Sequence, residues 1–296
     1  MAGVFQLSDG RGLGYAQWGD PGGTPVFGFM GTSLSWLAHV GNEAPRAAGV
    51  RLILVDRPGY GLSDFQPQRR LLDWPRDIAQ LADALEIDRF AVFGMSGGGP
   101  HAAACGYALP DRVSTLGLVS SPGPVWDRPE LRFSAPPHRQ PMIELAEEDP
   151  EIVANRLLED CRAELEEAAQ GSPNGDGGGG PPADRAVMAD PELRARFDAA
   201  TLETVARGPE GYAHDLCLLY VSPWGFRPEE IEVPTEIWQG DADEAVFPRI
   251  AEFFAQTIPA SRLHLVPGAG HLLLWSHTEE ILRSLRLRLE ERHAST

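Results

Sequence analysis

A serine in a glycine-rich turn is the residue whose setting most strongly suggests chemistry. Segment 93–100 reads F-G-M-S-G-G-G-P and contains the pattern Gly-x-Ser-x-Gly between an apolar run and a helical pattern. A serine at a strand-to-helix turn presents its hydroxyl above the sheet, and small flanking residues let strand and helix approach closely. The N–H of Gly97 would then face the point where negative charge develops. We predict that Ser96 is a nucleophile; the alternative is a plain glycine-rich turn.

A histidine that could activate this serine lies far along the chain. A serine hydroxyl is a poor nucleophile until a base takes its proton. His271 follows the tight loop P-G-A-G at 267–270, directly after a predicted strand, so its imidazole can project from the loop. His264 lies within that strand pattern and His101 lies on the helix after Ser96, and we interpret both as structural. His271 is therefore the predicted general base.

Acidic residues follow another predicted strand. Segment 238–246 reads W-Q-G-D-A-D-E-A-V. A histidine that takes up a proton needs a carboxylate to fix its tautomer and orientation. We predict Asp243 for this role. Asp241 is the alternative candidate for this role. If it is not the acid, we interpret Asp241 as a turn or capping residue.

The composition narrows the classes of function. The 296 residues include 43 acidic and 25 basic residues, a net charge of −18, and 43% of them are hydrophobic. These values are typical of a folded protein with a sizeable core, and the negative charge disfavours nucleic acid and membrane surfaces as partners. Every basic residue is arginine, which excludes a lysine Schiff base, a pyridoxal phosphate anchor and a P-loop lysine. We expect a small-molecule substrate and no metal or organic cofactor, and the oligomeric state stays open.

The cysteines and the N-terminal segment bear on the compartment. Cys105, Cys161 and Cys217 are far apart and lack a C-x-x-C spacing, so we expect reduced thiols and neither a disulfide framework nor a zinc site. The N-terminal residues lack a basic segment followed by an apolar run, and no stretch approaches the ~18 apolar residues of a membrane span. The expectation is a cytoplasmic enzyme or binding protein.

Alternating strand and helix patterns surround the candidate residues. Short apolar runs predict buried strands, and apolar stripes at helical spacing predict helices between them. The predicted strands are 25–30, 50–55, 90–93, 113–120, 235–238 and 262–266, and the predicted helices are 34–48, 73–85, 97–108, 246–257 and 278–290. Nearly continuous apolar strands separated by helices indicate a parallel sheet covered on both faces, and 4–7 and 14–18 add an antiparallel edge.

The middle of the chain has a different character. After residue 121, six prolines are followed by helical patterns at 153–165, 193–201 and 212–220. Segment 170–184 reads Q-G-S-P-N-G-D-G-G-G-G-P-P-A-D, a composition that cannot bury apolar surface and that predicts a flexible loop. The chain is therefore expected to be an α/β core interrupted by a helical insertion.

Four motifs, in order along the chain, resemble those of the α/β-hydrolase fold superfamily. They are D-R-P-G-Y-G-L-S at 56–63, the segment 93–100, G-D-A-D at 240–243 and P-G-A-G-H at 267–271. The resemblance implies an α/β fold with a mostly parallel, eight-stranded sheet flanked by helices and an inserted helical cap that roofs the site. It divides the chain into core residues 1–121, a cap at 122–224 and core residues 225–296. It also favours Asp243, because the acid of this family usually lies three residues after the glycine that ends its strand.

One position departs from the pattern of the superfamily. The loop after the third core strand commonly reads His-Gly, and its next N–H completes the oxyanion hole. Here segment 29–33 reads F-M-G-T-S, with Met30 at the histidine position. The N–H groups of Thr32 and Gly97 are the predicted oxyanion donors. Methionine cannot brace this loop by hydrogen bonding, and the loss of one oxyanion donor costs about 10²–10³ in rate.

The resemblance implies a serine hydrolase that cleaves a small carboxylic ester, thioester or lactone through an acyl-enzyme on Ser96. Two alternatives stay open: a cofactor-free lyase or rearranging enzyme that uses the same residues as acid and base, and a non-catalytic small-molecule-binding protein. Asp56 and Arg57 are interpreted as a structural turn with a local ion pair. Four residues are predicted to bind substrate, with core packing as their other interpretation: Met30, Met95, Trp126 and Trp224.

Overall fold

A single sheet forms the centre of the structure, a computed structural model that describes residues 2–135, 140–170 and 180–294. Its eight strands are β1 (Ala2–Gln6), β2 (Gly12–Gly19), β3 (Thr24–Phe29), β4 (Val50–Val55), β5 (Phe90–Met95), β6 (Val113–Val119), β7 (Thr235–Gly240) and β8 (Ser261–Val266). Their order is β1-β2-β4-β3-β5-β6-β7-β8. β2 is antiparallel to both of its neighbours, and the other adjacent pairs are parallel.

Helices cover both faces of this sheet. Those in the described residues are α1 (Glu43–Ala47), α2 (Trp74–Ala84), α3 (Gly99–Ala108), α4 (Gln140–Glu148), α5 (Pro150–Gln170), α6 (Pro182–Met188), α7 (Pro191–Ala206), α8 (Glu210–Tyr220), α9 (Pro248–Thr257), α10 (Leu273–Ser276) and α11 (Thr278–Ala294). Successive side chains of a strand point to opposite faces. Accordingly, Phe27 and Val92 pack in one apolar cluster with α2 and α3, whereas Val26 and Ala91 pack in another with α11.

The predicted fold class is confirmed, because the sheet is mostly parallel, has eight strands and is flanked by helices. The predicted core strands agree with β3 to β8 to within two residues, and β1 and β2 form the expected antiparallel edge. The predicted helix 34–48 is wrong over its first half, where only a short 3-10 turn occurs at Trp36–Ala38. Gly41 adopts a left-handed conformation with φ of 82°, which interrupts any helix before α1.

The segment between β6 and β7, which we call the insertion, contains α4 to α8. The predicted stripe at 153–165 is buried on one face of α5, and this helix contacts α7 and α8. Most of the predicted flexible loop 170–184 falls outside the described residues. Its last three residues, 182–184, form the first turn of α6, and Asp184 is buried. The boundaries 122 and 224 of the cap stay a prediction.

The sheet direction brings the candidate residues to one edge. Thr32 follows β3, Ser96 follows β5, Asp243 follows β7 and His271 follows β8. Because these four strands are parallel, their carboxyl ends lie side by side, which is where open α/β sheets place their sites. Among the described residues, no helix is long and apolar enough to cross a membrane.

Candidate active site

Ser96 lies in the sharp turn that joins β5 to α3. Its φ of 49° is left-handed, a conformation that is costly for a residue with a side chain and is found at functional sites. A 3-10 turn at Ser96–Gly98 precedes α3, so the regular helix begins two residues later than predicted. A Cβ at Gly94 would lie 2.1 Å from the carbonyl oxygen of Gly98. The turn therefore requires the glycine at 94, as the elbow interpretation expects.

The structure brings together the three residues proposed as nucleophile, base and acid. Ser96 Oγ lies 3.0 Å from His271 Nε2, and His271 Nδ1 lies 2.9 Å from Asp243 Oδ2. Since an ionised carboxylate only accepts hydrogen bonds, Nδ1 must carry a proton. Nε2 of the neutral ring is then the acceptor for the hydroxyl proton of Ser96. Both distances lie within the range needed for proton transfer.

The carboxylate of Asp243 is held in its charged form. Burial raises the pKa of Asp243, but hydrogen bonds and charge interaction with His271, together with the N–H groups of Ala245 and Val246, outweigh burial and lower it. Those N–H groups donate to Oδ1 at 2.8 and 2.9 Å, and Gln239 Nε2 donates to Oδ2 at 2.9 Å. The carboxylate therefore stays ionised and fixed in orientation.

Asp241, the alternative acid, has a different position. Its Oδ1 accepts the N–H of Gly268 at 2.6 Å, so this residue ties the acid loop to the loop that carries His271. Ala242 N–H reinforces the same connection by donating to the carbonyl of Ala269 at 3.0 Å. The two loops are therefore joined through the backbone as well as through the bond between Asp243 and His271.

The predicted oxyanion residues Thr32 and Gly97 are neighbours beside the serine. A Cβ built on Gly97 would lie 2.3 Å from Thr32 Oγ1 and 3.2 Å from Thr32 N, and a Cβ on Gly31 would lie 3.5 Å from Ser96 Cβ. The loop after β3 thus passes directly along Ser96, and only glycine at position 97 allows so close an approach.

A buried arginine, Arg57, supports the loop after β3 through hydrogen bonds to its backbone. Arg57 donates to the carbonyl of Met30 through Nη1 and to the carbonyl of Gly31 through Nη2 at 3.0 Å. Its Nε donates to Asp215 Oδ2 at 2.6 Å, and the Arg69 guanidinium donates to the other oxygen of Asp215. Although Met30 cannot brace the loop, Arg57 braces it through the backbone. The expected local ion pair with Asp56 is wrong, because Arg57 pairs with Asp215 on α8 of the insertion.

Attraction between opposite charges accounts for the pairing of Asp215 with Arg57. Burial raises the pKa of Asp215, but the guanidinium groups of Arg57 and Arg69 outweigh burial and hold it well below the usual range. Asp56 accepts the N–H of Trp36 at 2.7 Å and that of Leu62 at 3.0 Å, and it thereby orders the turn 56–62. No periodic pattern marks Asp215 as a partner of Arg57, and sequence reasoning missed it.

Comparisons with known proteins agree with this geometry. The sequence profile of the alpha/beta hydrolase fold matches residues 26–278. The chain belongs to the α/β hydrolase fold family. In solved structures, an esterase from Exiguobacterium antarcticum resembles this α/β hydrolase with a TM-score of 0.69 and 20% identity, covering 98% of this chain and 100% of the esterase. At that identity the likeness shows the fold.

Relatives of this α/β hydrolase carry several names. The dihydrolipoyllysine-residue acetyltransferase component of the acetoin cleaving system from Pseudomonas putida is 33% identical over 161 residues, 51% of this chain and 43% of that protein. The match thus spans less than half of that relative's length. A Bacillus subtilis protein, provisionally named 2-succinyl-6-hydroxy-2,4-cyclohexadiene-1-carboxylate synthase, is 27% identical over 264 residues, 86% of this chain and 84% of that protein.

The four predicted substrate-binding residues lie in or against the core of this α/β hydrolase. Met30 and Met95 are buried, and a Cβ at Gly31 would lie 3.2 Å from the sulfur of Met95. Trp224 is fully buried between Phe226 and Phe254, with ring centroids 5.6 and 6.3 Å away. Trp126 is partly buried against the same cluster. Their role in substrate binding stays a prediction.

The two histidines interpreted as structural have partners other than Ser96 and Asp243. His264 Nε2 bonds to Glu236, and its ring stacks on Trp238 with centroids 4.1 Å apart. His101 is buried, and its Nδ1 lies 3.2 Å from the carbonyl of Gly97. Burial lowers the pKa of His101 to about 3, so this imidazole is neutral at ordinary pH. Among the side chains that the structure describes, none form a group suited to hold a metal ion.

Proposed function

We propose that this α/β hydrolase cleaves a small, uncharged or weakly polar carboxylic ester, or a related thioester or lactone, through an acyl-enzyme on Ser96. One observation carries the proposal: a serine with φ of 49° lies 3.0 Å from an imidazole whose other nitrogen lies 2.9 Å from a buried carboxylate. This arrangement suits acyl transfer, because hydroxyl, base and orienting acid are connected in series.

The proposed acylation step begins at the serine. Ser96 Oγ attacks the ester carbonyl carbon while its proton passes to His271 Nε2, and the charge of the resulting imidazolium is stabilised by Asp243. The N–H groups of Thr32 and Gly97 hold the negative oxygen of the tetrahedral intermediate. The intermediate then collapses, the bond to the alcohol oxygen breaks, and the proton on Nε2 moves to the departing alcohol.

Water completes the proposed cycle. His271 Nε2 removes a proton from a water molecule that attacks the acyl carbonyl, and the same oxyanion donors stabilise the second tetrahedral intermediate. Collapse returns the proton to Ser96 Oγ and releases the carboxylic acid. Helices of the insertion, in this proposal, form a cap over the site. Leu219 on α8 supports that role, since a Cβ at Gly97 would lie 3.3 Å from its Cδ1.

The preference for an uncharged substrate has an electrostatic basis. A chain with a net charge of −18 repels anionic substrates over distances up to about a Debye length, roughly 8–10 Å. Apart from Thr32 and Ser96 themselves, the side chains nearest to a Cβ built on Gly31 or Gly97 are apolar; they are Met95, Leu34 and Leu219. The esterase of similar fold is consistent with an ester substrate, although fold alone does not determine function.

A fluorophosphonate probe and a panel of p-nitrophenyl esters test the proposal. We expect one equivalent of probe on Ser96, a burst of p-nitrophenol equal to the enzyme concentration, and loss of both in Ser96→Ala. The matched control is Ser276→Ala, which removes another hydroxyl near the same sheet edge, bonded to Leu273. Tight binding of small molecules without labelling or turnover would favour the non-catalytic alternative.

A second candidate is an acid–base lyase or rearranging enzyme that forms no acyl-enzyme. The Bacillus subtilis relative named as a synthase matches 86% of this chain, which favours keeping this alternative. In that mechanism His271 would move a proton of the substrate itself, and Ser96 would serve as a hydrogen-bond donor. Turnover of the native substrate that survives Ser96→Ala within about tenfold would support the lyase, because acyl transfer without the nucleophile loses far more.

A further inference from the structure

The loop that carries His271 is fixed on the side of the core by three contacts. Gly268 N–H donates to Asp241 and the Ala269 carbonyl accepts the N–H of Ala242. Ser120 Oγ, at the end of β6, donates to the carbonyl of His271 at 3.2 Å. These contacts do not use the backbone N–H groups of His271 and Leu272, which must be satisfied from elsewhere.

Asp184 of the insertion satisfies both donors. Its Oδ2 accepts the N–H of His271 at 3.0 Å, and its Oδ1 accepts the N–H of Leu272 at 2.8 Å. The residue is only 9% exposed, and it lies on the first turn of α6, 87 positions before His271. Because each carboxylate oxygen accepts one N–H, a single side chain holds two successive peptide groups.

Gly270 gives independent support for this contact. A Cβ at position 270 would lie 2.4 Å from Asp184 Oδ1 and 2.6 Å from its Cγ. The φ of Gly270 is not in the left-handed region, so the backbone itself does not require glycine there. Close approach of the Asp184 carboxylate is the feature that demands a residue without a side chain.

We propose that Asp184 is a positioning residue that sets the place of the His271 imidazole between Ser96 and Asp243, so that α6 must be docked for the base to work. The proposal rests on the proposed function, because it concerns the base of that mechanism. Asp184 does not touch the reacting atoms. It acts through the backbone of His271, and a displacement of a catalytic group by about 1 Å can cost 10²-fold in rate.

The principal test compares Asp184→Ala and Asp184→Asn with the control Asp190→Asn. Asp190 is exposed and caps α7, because its Oδ1 accepts the N–H of Glu192 at 2.9 Å; it lines the same cleft as Asp184, but the hydrogen bonds described for its side chain stay within α7. We expect kcat for p-nitrophenyl ester hydrolysis to fall about 100-fold in both Asp184 variants. KM should change less than about threefold, and the burst, which counts active sites, should stay at one per chain. The control should match wild type.

Two further arms separate positioning from a general loss of structure. Gly270→Ala keeps aspartate at position 184, but the added Cβ displaces the carboxylate from the loop. We expect the same fall in kcat. A cleft of about 500 Å³ borders Asp184, so a small carboxylate such as formate can reach the position vacated in Asp184→Ala. Formate should raise kcat of that variant and leave the kcat of wild type unchanged.

The outcomes are distinguishable. If wild type itself takes no fluorophosphonate on Ser96, the proposed function fails. If wild type is labelled but Asp184→Ala and Gly270→Ala keep kcat within about twofold, only the positioning role is overturned. The positioning role is also overturned if formate does not reverse the fall in kcat of Asp184→Ala and Gly270→Ala has the kcat of wild type.

Discussion

Replacing Arg57 should reveal how this α/β hydrolase supports the loop beside Ser96, the proposed nucleophile, without the usual histidine. Arg57→Met removes the donors to the carbonyls of Met30 and Gly31 as well as one partner of Asp215. Arg69→Met is the matched control. It removes the other guanidinium bound to Asp215, and the described hydrogen bonds of its side chain do not reach the loop.

The expected free-energy changes follow from burial. Arg57, Arg69 and Asp215 are all nearly inaccessible to solvent, and removal of one partner of a buried ion pair costs about 3–5 kcal/mol. Since Asp215 keeps one guanidinium in either variant, we expect a loss near the lower end, about 3 kcal/mol. Arg57→Met also removes the donors of the Met30 and Gly31 carbonyls, and each carbonyl left without a partner adds about 1–2 kcal/mol.

Catalysis should separate the two variants more clearly than stability does. If the carbonyls of Met30 and Gly31 lose their donor, the N–H of Thr32 moves from its position beside Gly97, and loss of one oxyanion donor costs about 10²–10³ in kcat. We expect that loss in Arg57→Met, and a change below about threefold in Arg69→Met.

Urea denaturation gives the free energies of unfolding, and ester hydrolysis normalised to the burst gives kcat for each variant. Equal loss of kcat in both variants would refute the reasoning, because it would trace the effect to the ion pair rather than to the loop. So would an Arg57→Met enzyme that is destabilised but retains wild-type kcat.

Three further predictions concern single residues. Burial raises the pKa of Asp56 from 3.8 to about 7, so the folded chain is more stable when this carboxyl is protonated. The free energy of unfolding of wild type, measured in urea relative to Asp56→Asn, should therefore be highest below about pH 4 and should fall as the pH rises through about 7. Asp243→Asn should lower kcat about 10⁴-fold with little change in KM in the ester assay, because the imidazole loses its fixed tautomer. Trp224→Ala should lower the free energy of unfolding by about 3–5 kcal/mol. The KM of the same variant tests the predicted contact with substrate: a rise of about tenfold supports that contact, and an unchanged KM contradicts it.

The fold and the three central side chains could be predicted because their signals are local. Ser96, Asp243 and His271 each follow a strand within a few residues, close to a glycine whose position leaves no room for a side chain. Parallel strands bring such loops together without any further information from the sequence. The strands are equally clear, since β5 is apolar throughout and both β5 and β6 are buried throughout.

The supporting contacts could not be predicted, because they join positions that are distant in the chain. Arg57 and Asp215 are 158 residues apart. The adjacent Asp56 is a nearer acidic residue in the sequence, but it binds backbone N–H groups instead.

Asp184 lies at the end of a Gly- and Pro-rich segment whose average composition predicts a flexible loop. An average over fifteen residues cannot detect one buried carboxylate. Gly270 was the available signal, but a glycine in a tight loop has several explanations.

The identity of the residue that carries the acyl group tests the account most directly. The enzyme is mixed with a slowly hydrolysed ester, quenched, and analysed by intact mass and by peptide mapping, with Ser96→Ala in parallel. The account predicts one added acyl mass per chain, located on the peptide that contains Ser96 and absent from the variant. An acyl group on any other residue, or undiminished ester turnover by Ser96→Ala, would contradict it.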